Sequence, residues 1–443
     1  MRKQLLARQR RRERGQTIIL VAISLVSLLA MAALAIDIVT LYVASSQIQR
    51  ATDAAALAGA KAIADSGLTS LQSTDINYAT AQTLAQTMAI QAINAMVTTA
   101  GVNLVGGQLP VLGGSPTFDL GVTHPGSYQV TVSLTSATLP TFFSKIWSRS
   151  GTTVIASATA EAYNPSNLPT MTPIALKSVK PWLVANLDPR TSGPFVTNGV
   201  VEQNVIGNPP IDLISDCNSL SSTPCTPLNA PPAAWTLAPK GVYYLPALVT
   251  TPNTPNVCPL CAGATDYEQS IECADVATSY QVLSCGGGAA YLQWDSTVNP
   301  GAPPNGNNAT PLGAECLIHA SNYGPLQGQD LLDPSPWPSN PMQIRAQSGP
   351  QNGNLVTTSN SIVTIPIFDQ TPFTPTFTPT TVTVVGFLQA FINQVDLGPS
   401  PPAGSINITV LNIAGCSSTN NGANPVVGGS GTSPIPVRLI TSP

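Results

Sequence analysis

The sequence predicts a membrane-anchored α+β protein: a long N-terminal transmembrane and stalk helix, a small α+β domain, and a mainly β C-terminal region rich in Pro, Asn and Thr. Three observations predict this fold class. Residues 17–36 form an uncharged apolar run. All 42 prolines lie at Pro110 or later, so only the first quarter of the chain is free to form long helices. Beyond it, short apolar runs alternate with turn-forming residues, which is typical of strands.

The tail that precedes the apolar run, residues 1–16, is basic. Seven of the 17 Lys and Arg residues lie in the first 14 positions, whereas residues 15–443 hold ten basic and 20 acidic residues. A basic run also suits nucleic acid, but this one abuts an apolar segment, which favours membrane topology. Positive charge stays on the cytoplasmic side of a membrane, so we expect the N-terminus in the cytoplasm and the bulk of the chain outside.

The apolar run is long enough to cross a bilayer. Its twenty residues at ~1.5 Å each cover a hydrocarbon core of roughly 30 Å. A cleaved secretory signal is the alternative, but its apolar stretch is about 7–15 residues long. The alanine-rich, proline-free residues 38–64 predict that the same helix continues as a stalk, giving one helix over 17–64, ~72 Å long.

Residues 65–163 predict a separate α+β domain. Apolar residues at three- and four-residue steps indicate a helix over 74–96. Alternating apolar residues indicate strands over 128–134 and 154–160, with a short amphipathic helix or turn at 139–147 between them.

Residues 164–443 predict a disulfide-containing, β-rich region outside the cytoplasm. An even number of cysteines confined to the exported part suits disulfides, whose pairing the sequence leaves open. The C-x-x-C pair at 258 and 261 also allows a zinc or redox site, but no second close pair follows it and no helix-start context is evident. The disulfide candidates are Cys217, Cys225, Cys258, Cys261, Cys273, Cys285, Cys316 and Cys416.

The N-terminal segment resembles the N-terminal domain of the TadE/TadG-like proteins, components of the bacterial Tad (Flp) pilus assembly system. The most specific part of the resemblance is the string QRATDAAALAGA over 49–60, and residues 128–162 are similar to the region after the anchor in TadG-like members. The positions that carry the motif are Gly15, Asp37, Tyr42, Gln49, Ala51, Asp53, Ala54, Ala55, Ala58 and Gly59.

The resemblance implies a bacterial inner-membrane protein whose residues 65–163 form a pilin-like α+β domain, with the bulk of the chain periplasmic or reaching the cell surface. It implies other Tad pilus-assembly proteins or related single-pass subunits as partners. Two family features are missing. Cleaved pilin-type subunits carry a Glu five residues into the mature helix, where this chain has Leu20. The D-x-S-x-S metal loop of larger TadG-type members does not occur, so metal-dependent adhesion is not implied.

The motif also has a direct physical interpretation. Small side chains let helices approach closely, so Ala51, Ala54, Ala55, Ala58 and Gly59 predict a packing face just above the membrane. The alternative is a stretch that is rich in alanine for helix propensity alone. Asp37 lies either in interfacial water or beside a basic group of another subunit.

The predicted function is therefore structural: a single-pass component of Tad pilus assembly that associates with related subunits through its Ala/Gly-rich helix. The alternative is an anchored envelope protein that presents residues 164–443 as a binding or adhesion module for an unknown surface ligand. No G-x-S-x-G, H-E-x-x-H or phosphate-loop motif occurs, and His124 and His319 are the only histidines. We expect no enzymatic activity, no cofactor, no metal and no nucleic-acid partner.

Overall fold

The structure, a computed structural model, describes most of the chain. The described residues are 2–99, 110–124, 126–139, 152–164, 174–175, 179–214, 235–237, 239–248, 265–272, 290–293, 309–320, 325–373, 381–396, 404–415, 427–428 and 433–440. The element predicted at 139–147, apart from its first residue, and the C-x-x-C pair lie outside these ranges.

Four helices and 21 strands make up the described part of the chain. The helices are α1 (Arg2–Asp65), α2 (Tyr78–Thr99), α3 (Asp266–Glu272) and α4 (Ala309–Leu317), with 3-10 turns at Leu68–Ser70 and Gly349–Gln351. The strands are β1 (Val111–Leu112), β2 (Thr117–Leu120), β3 (Ser127–Leu139), β4 (Thr152–Tyr163), β5 (Ile174–Ala175), β6 (Trp182–Ala185), β7 (Val196–Thr197), β8 (Val200–Val201), β9 (Gly207–Ile214), β10 (Thr236–Leu237), β11 (Gly241–Pro246), β12 (Ala290–Gln293), β13 (Pro325–Gln327), β14 (Asp330–Asp333), β15 (Gln343–Ala346), β16 (Leu355–Val356), β17 (Ile362–Phe368), β18 (Thr381–Asp396), β19 (Ile406–Gly415), β20 (Val427–Gly428) and β21 (Val437–Ile440).

The first layer is a small antiparallel sheet covered on one face by helices. Its order is β1-β3-β4-β21, and β2 also pairs with β3. Alternate residues of β3, from Tyr128 to Ser136, are buried, and their partners on β4, from Ala156 to Ala162, are buried on the same face. The C-terminal half of α1 packs there together with α2. Small alanines on β4 let α1 approach the sheet closely.

This first sheet takes its edge strand from the far end of the chain. β21 pairs antiparallel with β4, with Val437 opposite Ala162 and Ile440 opposite Thr159. Arg438 reaches across to the buried Glu161 at 2.5 Å and lies over the ring of Tyr163. The sheet therefore draws residues from both sides of the boundary predicted at 163 and 164.

The second layer is a closed barrel. Its strand order is β10-β11-β6-β17-β18-β19-β9, and β9 pairs in turn with β11. Six strands, β11, β6, β17, β18, β19 and β9, therefore form a ring that has no free edge. The pairs β9–β11 and β6–β17 are parallel, and the others in the ring are antiparallel. β12 and β13 pair with β18 near its two ends, and β14-β15-β16 form a separate three-stranded sheet.

A buried junction holds the first layer on the barrel. Asn164, fully buried at the end of β4, donates to the carbonyl oxygens of Thr69 and Ile413 at 2.9 and 2.7 Å. The Ser70 hydroxyl accepts a hydrogen bond from the Ile413 amide of β19 at 3.0 Å. The Trp337 indole donates to the carbonyl of Ser66 at 3.0 Å. The residues after α1 are therefore fixed to the barrel, and the two layers share one continuous core.

Two short helices pack beside the barrel. The Tyr267 hydroxyl of α3 lies 2.8 Å from that of Thr310 on α4, and Gly313 lies against Ile271. Tyr267 precedes Ile271 on α3, and their neighbours Thr310 and Gly313 follow in the same order on α4, so the two helices run roughly parallel. Next to them Lys180 is almost fully buried and donates to the carbonyl of Ile271 at 2.7 Å. Burial lowers the pKa of the Lys180 ammonium to about 7.

The coarse fold prediction is confirmed: a long N-terminal apolar helix precedes a mainly β remainder. The second helix, predicted over 74–96, spans Tyr78–Thr99. It begins later because Asp75 closes a turn, with its carboxylate accepting from the Asn77 amide at 2.8 Å. The strands expected at 128–134 and 154–160 lie inside the longer β3 and β4.

Candidate functional site: the N-terminal helix

α1 is the feature through which the chain would act at a membrane. It runs without interruption from Arg2 to Asp65 because no proline breaks it and alanine dominates its second half. In the part of the chain that the structure describes, it alone is long and apolar enough to cross a bilayer, judged by length and composition. Its apolar side chains from Ile18 to Ile36 are largely exposed, as a lipid-facing surface would be.

One stripe of α1 is covered by the rest of the chain. Its members recur at intervals of about one turn or two, so they lie on one side of the helix. The fully or nearly fully buried positions are Ala33, Asp37, Ala44, Ile48, Ala51, Ala55, Gly59 and Ile63. Past Ala51 the buried surface widens because α2 covers a second side. The C-terminal half of α1 is thus a helix of the protein core and not a free stalk.

The predicted motif residues divide between this stripe and the opposite side. Asp37 is buried, with 6% of its surface exposed. Tyr42 is 77% exposed and faces away from the sheet. Gln49 donates to the Asp53 carboxylate at 2.7 Å and reaches the carbonyl of Ser157 on β4 at 3.4 Å. Gly15 lies in α1, at a position whose surroundings are outside the described part.

The alanine and glycine positions pack mainly within the protein. Ala51, Ala55 and Gly59 are buried against the sheet and α2, whereas Ala54 and Ala58 are half-buried. A β-carbon added at Gly59 would lie 2.9 Å from Cδ1 of Ile93 and 3.2 Å from Cγ1 of Val130. Glycine is needed here because α1, α2 and β3 meet at this point. Three of the five residues predicted to form an intermolecular face are thus covered by the protein's own sheet and by α2.

The cysteines lie mostly outside the described ranges. Cys316 on α4 is disulfide-bonded. The other seven candidates, at positions 217, 225, 258, 261, 273, 285 and 416, lie in the part that the structure does not describe. The connectivity of the eight cysteines stays open.

The sequence reasoning missed how far toward the N-terminus the covered stripe extends. Ala33, Asp37 and Ala44 repeat at steps of four and seven, a signal that the surrounding apolar residues hide. A small residue or a carboxylate at each position, among Leu, Ile and Val, marks the side that does not face lipid.

These features define a class of protein in which one long helix carries an apolar span near its N-terminus. The C-terminal half of the same helix packs in the core of a β-rich globular domain. Residues 15–62 match the family model "Putative Flp pilus-assembly TadE/G-like". The resemblance seen in the sequence is confirmed for this segment, which is a TadE/G-like domain. No curated protein and no solved structure gives a significant match to the chain.

Proposed function

We propose that this chain is a single-pass inner-membrane component of a Tad (Flp) pilus-assembly system, with a structural and not an enzymatic role. The observation that carries the proposal is the TadE/G-like segment at 15–62. This segment includes the apolar span of α1 and most of the C-terminal part of α1 that packs in the core. The matched segment is therefore both the anchor and the central helix of the globular domain.

The orientation follows from charge. The basic residues of the tail precede the apolar span, so the N-terminus is cytoplasmic and the β-rich bulk lies in the periplasm or reaches the cell surface. A periplasmic location also suits the disulfide at Cys316, since that compartment is oxidising.

The surface that contacts related subunits is the exposed side of α1 just above the apolar span. Tyr42, one of the family positions, is 77% exposed there, and Ile38 and Ser46 lie one turn below and above it. An exposed aromatic ring beside the membrane suits a helix–helix contact, since aromatic residues are enriched at interfaces. The half-buried Asp53 and Leu57 extend this side upward.

Co-purification tests this surface. The full-length chain carrying Tyr42→Asp should lose related single-pass subunits of the same assembly system that co-purify with the wild type, and pilus formation should fall. Val43→Asp is a matched control, because Val43 is also exposed on α1 but lies about 100° around the helix from Tyr42. Equal retention of partners by the two variants would refute the Tyr42 surface.

A reporter fusion tests the orientation. An export-dependent phosphatase fused after residue 443 should be active, and the same enzyme fused before residue 1 should be inactive. The opposite result would overturn the anchor topology.

Deletion of the chain tests the role itself. If pili assemble normally without the chain while attachment to surfaces is lost, the role would instead be presentation of a binding module.

A further inference from the structure

α2 carries a row of exposed residues along its outer face. In this row, steps of three and four residues alternate, and its members are Thr80, Thr83, Thr87, Ile90 and Asn94. Such alternation has a mean period of about 3.5 residues, at which two helices stay in contact side by side as a coiled coil. The row runs nearly straight along the helix because this period is close to one α-helical turn. The outer face of α2 therefore has the spacing of a helix-pairing surface.

The outer face of α2 carries no charge. Residues 76–118 contain no Asp, Glu, Lys, Arg or His, whereas exposed helix faces usually carry charged residues. The chain beyond the basic tail is acidic, because residues 15–443 hold ten basic and 20 acidic residues. Two copies of the chain therefore repel each other, and an uncharged face is where they can approach most closely. A basic partner would instead be attracted to the acidic surface elsewhere.

A groove runs beside the same face. It has a volume of about 470 Å³ and lies between α2 and residues 339–341, with Met88 and Gln91 among the α2 residues that line it. The buried junction fixes its two walls relative to each other, since the nearby Trp337 indole donates to the carbonyl of Ser66 at 3.0 Å. The groove is therefore preformed, and side chains of a second helix can enter it.

The direction of the first sheet relative to α1 follows from two contacts. A β-carbon at Gly59 would lie 3.2 Å from Cγ1 of Val130 on β3. Nearer the N-terminus of α1, Gln49 reaches the carbonyl of Ser157, whose partner on β3 is Ser133. β3 therefore runs antiparallel to α1, and the start of β3 lies toward the C-terminal end of α1.

α2 also runs antiparallel to α1. Ile93 packs against α1 at Gly59. At the start of α2, the Tyr78 hydroxyl donates to the carbonyl of Leu120 at 3.3 Å, and Leu120 pairs with Tyr128 at the start of β3. α2 therefore begins near the C-terminal end of α1 and returns toward the apolar span. Its axis is roughly aligned with that of α1, the helix that crosses the membrane in the proposed function.

This alignment determines how two copies can meet. Copies anchored in one bilayer by α1 have the same orientation, so a two-fold axis that relates them lies along the membrane normal. That axis brings the two α2 helices together in parallel, with each residue near its counterpart.

We propose that the chain forms a dimer with a second copy of itself through the outer face of α2, with the two helices parallel and in register. The proposal rests on the single-pass anchor of the proposed function and deepens it by naming a partner. Asn94 then lies beside the Asn94 of the second copy. A polar pair of this kind fixes the register of two parallel helices, and the uncharged row on either side of it excludes water from the contact.

Energy transfer in vesicles of phosphatidylethanolamine and phosphatidylglycerol tests the dimer. Donor and acceptor fluorescent proteins are fused before residue 1 of the full-length chain. Wild-type copies should show energy transfer that an excess of unlabelled wild type lowers. Ile90→Glu should reduce the transfer several-fold, because it places two like charges together at the contact. Ala95→Glu is the matched control and should keep wild-type transfer, since Ala95 is also exposed on α2 but lies about 100° around the helix from Asn94.

A charge pair tests the register. Ile90→Lys should lose transfer when it is the sole species, whereas donor-labelled Ile90→Glu mixed with acceptor-labelled Ile90→Lys should recover it. Recovery requires residue 90 to lie near its counterpart, and it also shows that both variants are folded. If the mixture transfers no better than either variant by itself, or if Ile90→Glu keeps wild-type transfer, the α2 face is overturned as the dimer contact.

Resistance of the wild-type chain to alkaline extraction is measured first. A chain that is extracted would overturn the anchor of the proposed function and the parallel alignment together. A chain that stays inserted but shows no transfer that unlabelled wild type lowers would overturn the dimer alone. That second result is the one expected if the α2 face binds a different protein.

Discussion

The close approach of α1, α2 and β3 at Gly59 allows a sharp test of the packing in the first layer. In Gly59→Ala the new methyl would lie 2.9 Å from Cδ1 of Ile93, which is fully buried and has little room to move. Overpacking of this kind costs about 1–3 kcal/mol. Alanine in place of glycine in a helix regains about 1 kcal/mol, so the net loss of stability should be about 1 kcal/mol.

A second substitution separates the clash from other effects. Ile93→Val removes Cδ1, the atom nearest to the added methyl, and by itself should cost about 0.5–1.5 kcal/mol. With Cδ1 gone, the contact at 2.9 Å is lost, whereas the contacts at 3.0 Å to Cγ1 of residue 93 and 3.2 Å to Cγ1 of Val130 remain. Gly59→Ala should therefore cost less in this background than in the wild type. The coupling energy between the two substitutions should therefore be favourable, at about 0.5 kcal/mol or more.

Equilibrium urea unfolding of the full-length chain in detergent micelles measures these differences as shifts of midpoint at constant slope. Ala58→Gly is the control, since Ala58 is half-buried on the same helix. It should cost about 1 kcal/mol through helix propensity and add independently to Ile93→Val. If Gly59→Ala stabilises the wild-type background, or shows no coupling to Ile93→Val, the three-way contact is refuted.

Three further predictions concern the junction, a buried charge and a disulfide. Asn164→Ala removes the two hydrogen bonds that its amide donates to the buried carbonyls of Thr69 and Ile413 and should lower the free energy of unfolding by about 2–4 kcal/mol, whereas a shift in urea midpoint no larger than that of a surface substitution would contradict the junction. Burial lowers the pKa of Lys180 to about 7, so between that pH and about pH 10 the unfolded chain binds more protons than the folded chain. The stability of the wild type should therefore rise relative to that of Lys180→Met between about pH 7 and 10. An equal difference in urea midpoint between the two proteins at about pH 6 and pH 9 would contradict this. Because α3 and α4 advance in parallel and Cys316 lies one turn after Gly313, its partner should be Cys273, just after α3; peptide mapping without reduction checks this, and a link from Cys316 to any other cysteine would exclude it.

Local patterns in the sequence were enough to place the main helices and the first hairpin. The apolar run and the absence of proline before Pro110 predicted α1, and two-residue alternation predicted β3 and β4. These signals work because they arise from side-chain periodicity within one element. The string over 49–60 likewise identified the TadE/G-like segment without any structure.

The partners of these elements were decided only by tertiary structure. The sequence marks Ala51, Ala55 and Gly59 as small, but it does not say whether their neighbour is another subunit or the protein's own sheet. The fold answers this because β4 presents its own alanines to α1, and two surfaces of small residues pack closely.

The sequence by itself therefore determined the long apolar helix, its TadE/G-like motif and the β-rich character of the remainder, since each depends on composition or short-range period. Tertiary structure decided that β21 returns from the chain's end to β4, that β9 meets β11 to close the barrel, and that α1 is covered down to Ala33. These contacts join residues far apart in the chain, and their pairing depends on which surfaces are left to bury once the local elements have formed.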